Sequence, residues 1–142
     1  MNGAYFVSQR VKPTMAIAVD VSYVSDYAGT DAADTGDVRI GKGPVLCANP
    51  THHPEINQRL VEAANRCAMS VQWETATGRT GTDGDVMHKS GEGVPVALVS
   101  IPLRYMHSPA EVASLNDVQD CIELLAEFVC GLDETISLNP FV

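Results

Sequence analysis

A cation, an aromatic ring, a histidine and a proline follow directly after an apolar run of this chain. The run, Val94–Ile101, has the length and composition of a buried strand. Arg104, Tyr105, His107 and Pro109 come at its carboxyl end. Imidazole is a common metal ligand and a common catalytic base. A histidine that only caps a strand end through a hydrogen bond fits the same pattern, and these residues alone favour that structural role.

An acidic residue interrupts a second apolar run. Met15–Val21 is predicted to be a central strand, with Asp20 at its carboxyl end. An unpaired buried carboxylate is costly, so Asp20 must be hydrogen-bonded, ion-paired or bound to a metal. Pairing with Arg104 or with a helix N-terminus is the simpler interpretation. Asp20 and His107 alone are too few for a catalytic zinc, which usually takes three protein ligands.

A glycine-containing loop is the third candidate. Gly81, Thr82 and Asp83 precede a short predicted helix that begins at Asp83 or Asp85 and ends at Ser90. Backbone amides at such a helix start can hold an anion or a carbonyl oxygen. A simple capped turn, with Thr82 or Asp83 as the N-cap, explains the same residues.

The other histidines are weaker candidates for a functional site. His52 and His53 are adjacent, so their side chains diverge, and His88 lies in polar sequence. All three are expected at the surface. The chain contains no nucleophile elbow, P-loop or dinucleotide fingerprint.

Strands alternate with helices along the chain. Apolar spacing predicts helices at 3–11, 54–69 and 114–130, and strands at 15–21, 43–48, 70–74 and 94–103. Residues 25–43 are predicted to form a long polar loop, and the tail from 132 is expected to pack loosely. The fold class is therefore α/β, a layered sandwich with a mostly parallel or mixed sheet flanked by helices. Sites in such sheets lie at the carboxyl ends of strands, where Asp20, Gly81 and His107 are all predicted.

Composition limits the functional classes. The 142 residues suit one domain, 1–142, and the net charge of −9 argues against binding to nucleic acid or to an anionic membrane. No apolar run is long enough to span a membrane. The four cysteines are widely spaced and form no CxxC pair. We therefore expect a reduced, cytoplasmic protein.

Four segments together resemble a known family. Ala16–Ser22, Gly41–Pro44, Gly81–Asp83 and Ile101–Pro109 occur in order at fitting spacings. They resemble the C-terminal part of the catalytic domain of the glutamyl/deblocking aminopeptidases, two-metal peptidases often labelled endoglucanase or cellulase. The resemblance covers roughly residues 2–130, and the Arg-Tyr-Met-His-Ser-Pro stretch is its most specific part.

The resemblance implies roles for six residues. It makes Asp20 a ligand of one metal and His107 a ligand of the other. It places Gly81, Thr82 and Asp83 beside the active site and Arg104 near the substrate pocket. The two divalent metals, zinc or cobalt, would activate a bridging water and polarise the carbonyl of the N-terminal residue of a peptide.

The differences from the family are as informative as the similarities. The resemblance implies a Gly-Glu-Glu segment, with the general base and a further ligand, upstream of this sequence, and a histidine and a bridging aspartate further upstream still. It also implies a dimerisation domain that is absent here. Locally, Ser22 and Tyr23 stand where the family usually has Thr-His. The chain therefore resembles a fold truncated at its N-terminal side, and no catalytic residue is expected within it.

Three hypotheses follow. The first is a fragment or half of a cytoplasmic metallo-aminopeptidase that is inactive alone. The second is a non-catalytic remnant that acts as an interaction or oligomerisation module. The third, the least favoured, is a small hydrolase that uses only Asp20, His107 and the Gly81 loop. Because strands of the family sheet would be missing, we expect an open sheet edge and either a homo-oligomer or an upstream half-chain that covers it.

Overall fold

The computed structural model describes residues 1–134 and 136–139. Five helices and five strands form in the described residues, and their bounds are α1 (Asn2–Val11), β1 (Ala16–Tyr23), α2 (Ala32–Thr35), β2 (Val45–Ala48), α3 (Pro54–Arg66), β3 (Gln72–Thr75), α4 (Gly84–Met87), β4 (Val96–Arg104), β5 (Val112–Ala113) and α5 (Leu115–Cys130). No helix in this part of the chain is long and apolar enough to cross a membrane.

The sheet is mixed. Its strand order is β1-β4-β2-β3, and β5 adds a short pairing to the end of β4. β1 lies parallel to β4 over eight residue pairs, whereas β2 pairs with β4 in the antiparallel direction and with β3 in parallel. The α/β class is therefore confirmed, and of the two predicted sheet types the mixed one is observed.

Alternation along the strands divides the buried residues between two faces of the sheet. One face, which carries Leu46, Ala97 and Val99, packs under α3 and α5 and forms the largest apolar cluster. The opposite face carries Ala18, Cys47 and Leu98, which pack against Met87 and Ala76. α4 covers part of that second face and α1 packs on α4, so the sheet lies between two helical layers.

A buried carboxylate ties α5 to the loop before β2. The side chain of Asp117, in the first turn of α5, is completely buried. Its two oxygens accept hydrogen bonds from the backbone amides of Gly41 (2.7 Å) and Gly43 (3.0 Å). The helix N-terminus also stabilises a negative charge at this position. This contact fixes the end of the long loop and sets where β2 enters the sheet.

Several local predictions need correction. The loop 25–43 contains the short helix α2, stabilised by the N-cap Asp31, and the strand β5 has no counterpart in the predictions. His52 is buried rather than at the surface, and its Nδ1 lies 3.2 Å from the carbonyl oxygen of Cys47. In the tail, Leu132 and Leu138 pack against the main apolar cluster, whereas residues 135 and 140–142 lie outside the described part.

Removing the Asp117 carboxylate tests its structural role. Asp117→Ala leaves two backbone amides without an acceptor in a buried place, so we expect a loss of about 3 kcal/mol in the free energy of unfolding. Asp120→Ala is the control, because Asp120 lies on the same helix and accepts no hydrogen bond among the described residues, and because burial and the charge of Asp117 raise the pKa of its carboxyl. The Asp120→Ala change is expected to alter the free energy of unfolding by less than about 0.5 kcal/mol. Urea unfolding followed by circular dichroism measures both, and equal losses would contradict this role.

Candidate functional site

A polar cleft of about 180 Å³ lies where β1, β3 and the loops after β3 and β4 meet. Four of the six residues predicted for the site line this cleft: Asp20, Gly81, Thr82 and His107. The fold therefore brings together residues that are far apart in the chain. The remaining lining residues are Val21, Ser22, Tyr23, Glu74, Thr80, Leu98 and Met106.

Asp20 is half-buried and has no cation partner among the described residues. It is the fifth residue of β1, opposite Ser100 of β4, and the strand continues to Tyr23. One carboxylate oxygen, Oδ1, accepts a hydrogen bond from the amide of Val21 (2.8 Å). The other oxygen makes no hydrogen bond within the part of the chain that the structure describes. Pairing with Arg104, the simpler interpretation of the sequence, is not observed.

His107 is exposed and held in an unusual backbone conformation. Its φ angle is +64°, a region that non-glycine residues rarely adopt. Its amide donates a 2.6 Å hydrogen bond to Oε1 of Glu111, and its ring Nδ1 lies 3.0 Å from the hydroxyl of Tyr23. With these contacts in place, the exposed His107 side chain lines the cleft.

Arg104 joins two loops instead of lining the cleft. Its guanidinium makes two hydrogen bonds of 2.8 Å to the carboxylate of Asp26, whose side chain is 9% exposed. Tyr105, the next residue, packs edge-on against Tyr27 with ring centroids 4.8 Å apart. The segment after β4 is therefore fastened to the segment after β1. Asp83, another predicted site residue, also lies outside the lining and pairs with the amino group of Met1 (3.1 Å).

Asp85 determines the shape of the Gly81 loop. Its buried carboxylate accepts hydrogen bonds from the amides of Thr80 and Gly81, both 2.9 Å, and from the Thr80 hydroxyl. Burial alone would raise the pKa of Asp85, but these bonds and the charge of Arg79 outweigh it and lower that pKa. Gly81 takes a φ of +79°, which glycine adopts without strain. Because Asp85 uses the Gly81 amide, that amide is not free for a ligand anion.

Glu74 is a site residue that the sequence reasoning missed. It lies on β3, yet its carboxylate accepts a hydrogen bond from the hydroxyl of Ser22 on β1. Burial raises the pKa of Glu74, the bonds from Ser22 and Cys47 oppose that rise, and the charge of Asp20 adds to it. Burial and the negative charge of Glu74 likewise raise the pKa of the Cys47 thiol to about 12. The only sequence signal was the alternation of residues 70–74, which does not say which side of the sheet Glu74 faces.

The cleft contains too few donor groups to form a complete metal site. A carboxylate oxygen of Asp20 and an imidazole nitrogen of His107 are ligands that zinc accepts. Among residues 1–134 and 136–139, however, no group of three His, Cys, Asp or Glu side chains is arranged to hold an ion. The residues present fit two divalent metals in kind but do not complete either site.

Comparison with known proteins decides the family. The sequence model described as M42 glutamyl aminopeptidase matches residues 1–124. The chain belongs to this family. Its members are metal-dependent peptidases. The resemblance drawn from the four sequence segments is thereby confirmed.

The relatives are longer proteins. A putative aminopeptidase of Acetivibrio thermocellus is 35% identical over 133 residues, which are 92% of this chain and 39% of the relative. Lysyl aminopeptidase of Pyrococcus furiosus is 36% identical over 87% of this chain and 35% of its own length. The chain therefore spans little more than a third of the relatives it matches.

Solved structures of the family share the fold. A TET aminopeptidase from a marine sediment archaeon of the Thaumarchaeota superposes with a TM-score of 0.85 at 26% identity, covering 93% of this chain and 37% of that one. An aminopeptidase from Desulfurococcus kamchatkensis gives 0.76 at 30% identity, covering 89% of this chain and 36% of that one. The layered α/β architecture is thus that of M42 aminopeptidases.

The Arg104–Asp26 pair predicts a pH dependence. The hydrogen bond and charge of Arg104 lower the pKa of Asp26. The stabilisation from this pair is therefore complete above the ordinary carboxyl pKa of about 4 and is lost as the pH falls through the lowered pKa. We expect Asp26→Asn to cost about 1 kcal/mol at pH 7, with the difference from wild type vanishing in acid.

Asp37 supplies the matched control. Its pair with Arg39 is more than half exposed on both sides, so Asp37→Asn is expected to change the free energy of unfolding by less than about 0.5 kcal/mol. Urea unfolding of both variants across the acid range measures the difference. A cost for Asp26→Asn that grows as the pH falls would contradict the assignment.

Proposed function

We propose that this chain forms one part of the active site of a metal-dependent aminopeptidase, which removes N-terminal residues from peptides. Within the site, Asp20 and His107 would each ligate one of two divalent metals, zinc or cobalt, and Gly81 and Thr82 would line the substrate cleft. The metals would supply the activation of water when bound. The observation that carries the proposal is that Asp20, His107 and the Gly81 loop line one cleft in a chain of this family.

The chain is proposed to be inactive by itself. A general base and the other ligands would come from residues outside this sequence, from the part of a full-length relative that this chain does not match. The small donor set supports this part of the proposal, because two ligands, one on strand β1 and one in the loop after β4, hold a metal weakly. The alternative of a non-catalytic interaction module has no observation in its favour.

The missing part would dock on one edge of the sheet. β1 is an edge strand of the described sheet, and Val19 and Tyr23 on it are about half exposed. Helix α1, which precedes β1 in the chain, exposes four apolar side chains, Tyr5, Phe6, Val7 and Val11. An open sheet edge and an exposed apolar helix surface both favour pairing with another chain. We infer that the remainder of a full-length M42 fold covers this edge.

Assembly and location complete the proposal. One structural neighbour, PhTET1-12s, is 25% identical to this chain and is a dodecamer in the asymmetric unit of its crystal. We propose that this chain also works within a homo-oligomer once its site is complete.

All four cysteines, each within the described residues, are free thiols. Free thiols are typical of a reducing compartment, which supports a cytoplasmic location.

A chimera tests the catalytic role. In it, this chain replaces the matched segment of the Pyrococcus furiosus lysyl aminopeptidase. Asp20→Asn and His107→Ala are each expected to lower kcat/KM for an aminoacyl-p-nitroanilide by at least about a hundredfold, because each removes a metal ligand. Asp37→Asn, at an exposed acid outside the cleft, is the control and keeps activity within about twofold.

The chain alone gives the complementary result. We expect no hydrolysis and no tight stoichiometric binding of Zn²⁺ by calorimetry. Tight binding at two sites, or peptidase activity of the isolated chain that is lost in His107→Ala, would contradict the proposed division of the site.

Docking at the open edge is tested through solution mass. The isolated chain is expected to self-associate in light scattering, since its apolar surface has no cover, and Phe6→Glu is expected to reduce that association. Leu115→Glu, on a side chain 84% exposed at the start of α5, is the control and leaves association unchanged. A wild-type chain that is strictly monomeric and fully soluble would count against an interface at this edge.

A further inference from the structure

Tyr23 contacts the imidazole of His107. The tyrosine ends β1, and the histidine lies in the loop after β4, 84 positions along the chain. The Tyr23 hydroxyl is 3.0 Å from Nδ1 of His107, and the two rings meet edge to face with centroids 6.1 Å apart.

The contact leaves one ring nitrogen available. Nδ1 of His107 is used by Tyr23, whereas Nε2 makes no hydrogen bond within the described residues. The backbone bond to Glu111 fixes the main chain of His107 but does not select between the ring nitrogens. The contact with Tyr23 therefore leaves Nε2 as the ring nitrogen of His107 that is free to bind a ligand.

A phenol suits this task because it can donate or accept a hydrogen bond. When the proton of the neutral imidazole is on Nε2, the Tyr23 hydroxyl donates to Nδ1. When Nε2 is bare, Nδ1–H donates to the Tyr23 oxygen. The ring orientation is thus preserved in both tautomers, which a carboxylate partner, an acceptor only, would not allow.

We propose that Tyr23 is a positioning residue that holds Nδ1 of His107 and so presents Nε2 to the cleft. The importance of this orientation for peptide hydrolysis rests on the proposed function, since a ligand must direct one defined nitrogen at its metal. The orientation itself belongs to the folded chain alone. It can therefore be tested without metal, substrate or the rest of the site.

Alkylation by bromoacetate reads the orientation directly. The reagent attaches a carboxymethyl group to whichever imidazole nitrogen is accessible, and the two products on the His107 peptide are separated by chromatography after proteolysis. In the full wild-type chain we expect substitution at Nε2. In Tyr23→Phe, which keeps the ring and removes the hydroxyl, the Nδ1 share should rise about fivefold, the factor that one neutral hydrogen bond typically contributes.

Tyr27→Phe is the matched control. It removes a hydroxyl from the neighbouring tyrosine, whose ring packs on Tyr105 and does not contact His107. The product ratio at His107 is expected to stay at the wild-type value. An equal ratio in wild type and Tyr23→Phe, or a rise of the same size in Tyr27→Phe, would overturn the proposal.

A second measurement needs no variant. In the wild-type chain, the proton on Cε1 of His107, next to Nδ1, should give a nuclear Overhauser effect to the Tyr23 ring. Its absence in the folded protein would overturn the proposal. Failure of the chimera to hydrolyse peptides, with both results here as expected, would instead refute the proposed function and leave the positioning role of Tyr23 intact.

Discussion

β1 and β4 pair in parallel over eight residues, and the geometry of the cleft depends on that pairing. Parallel neighbours end at the same edge of the sheet, so the segments that follow them must meet. Arg104 reaches Asp26, Tyr105 reaches Tyr27, and His107 reaches Tyr23. A shift of one residue in this register would turn Asp20 to the other face and separate these contacts.

Charge is distributed unevenly around the cleft. Arg104, the cation closest in sequence to His107, is paired with the nearly buried carboxylate of Asp26, so it does not neutralise Asp20 or Glu74. Burial and the charge of Asp20 raise the pKa of Glu74. Such an arrangement is costly for a folded chain, and uncompensated carboxylates in a cleft are typical of sites that receive a cation.

The incomplete donor set and the open edge have a common physical basis. The chain spans about a third of its relatives' length, and its cleft reaches from Asp20 on β1, one edge strand, to Glu74 on β3, the other. Under the proposed function, the rest of a full-length protein would supply the groups that complete the cleft and would cover the β1 edge, so formation of the site would be coupled to burial of exposed apolar surface.

The sequence by itself determined the local structure and the family. Apolar runs predicted β1 and β4, and helical spacing predicted α3 and α5, because burial on one face imposes a period that can be read directly. The motif around His107 pointed to the aminopeptidases. Short elements such as α2 and β5 carry too few residues for a period, and they depend on a cap or on pairing with a distant strand.

Only the tertiary structure decided which side chains meet. The bond between Ser22 and Glu74 joins β1 to β3, strands that are not neighbours in the sheet, and the Tyr23–His107 contact spans most of the chain. The alternation of residues along β3 predicts that Glu74 faces one side of the sheet. Only the strand order and the register determine which side that is. Arg104 illustrates the same limit. Its charge suggested pairing with Asp20 and the family resemblance placed it near a substrate pocket, but the fold pairs it with Asp26, because long-range contacts decide which carboxylate comes within reach.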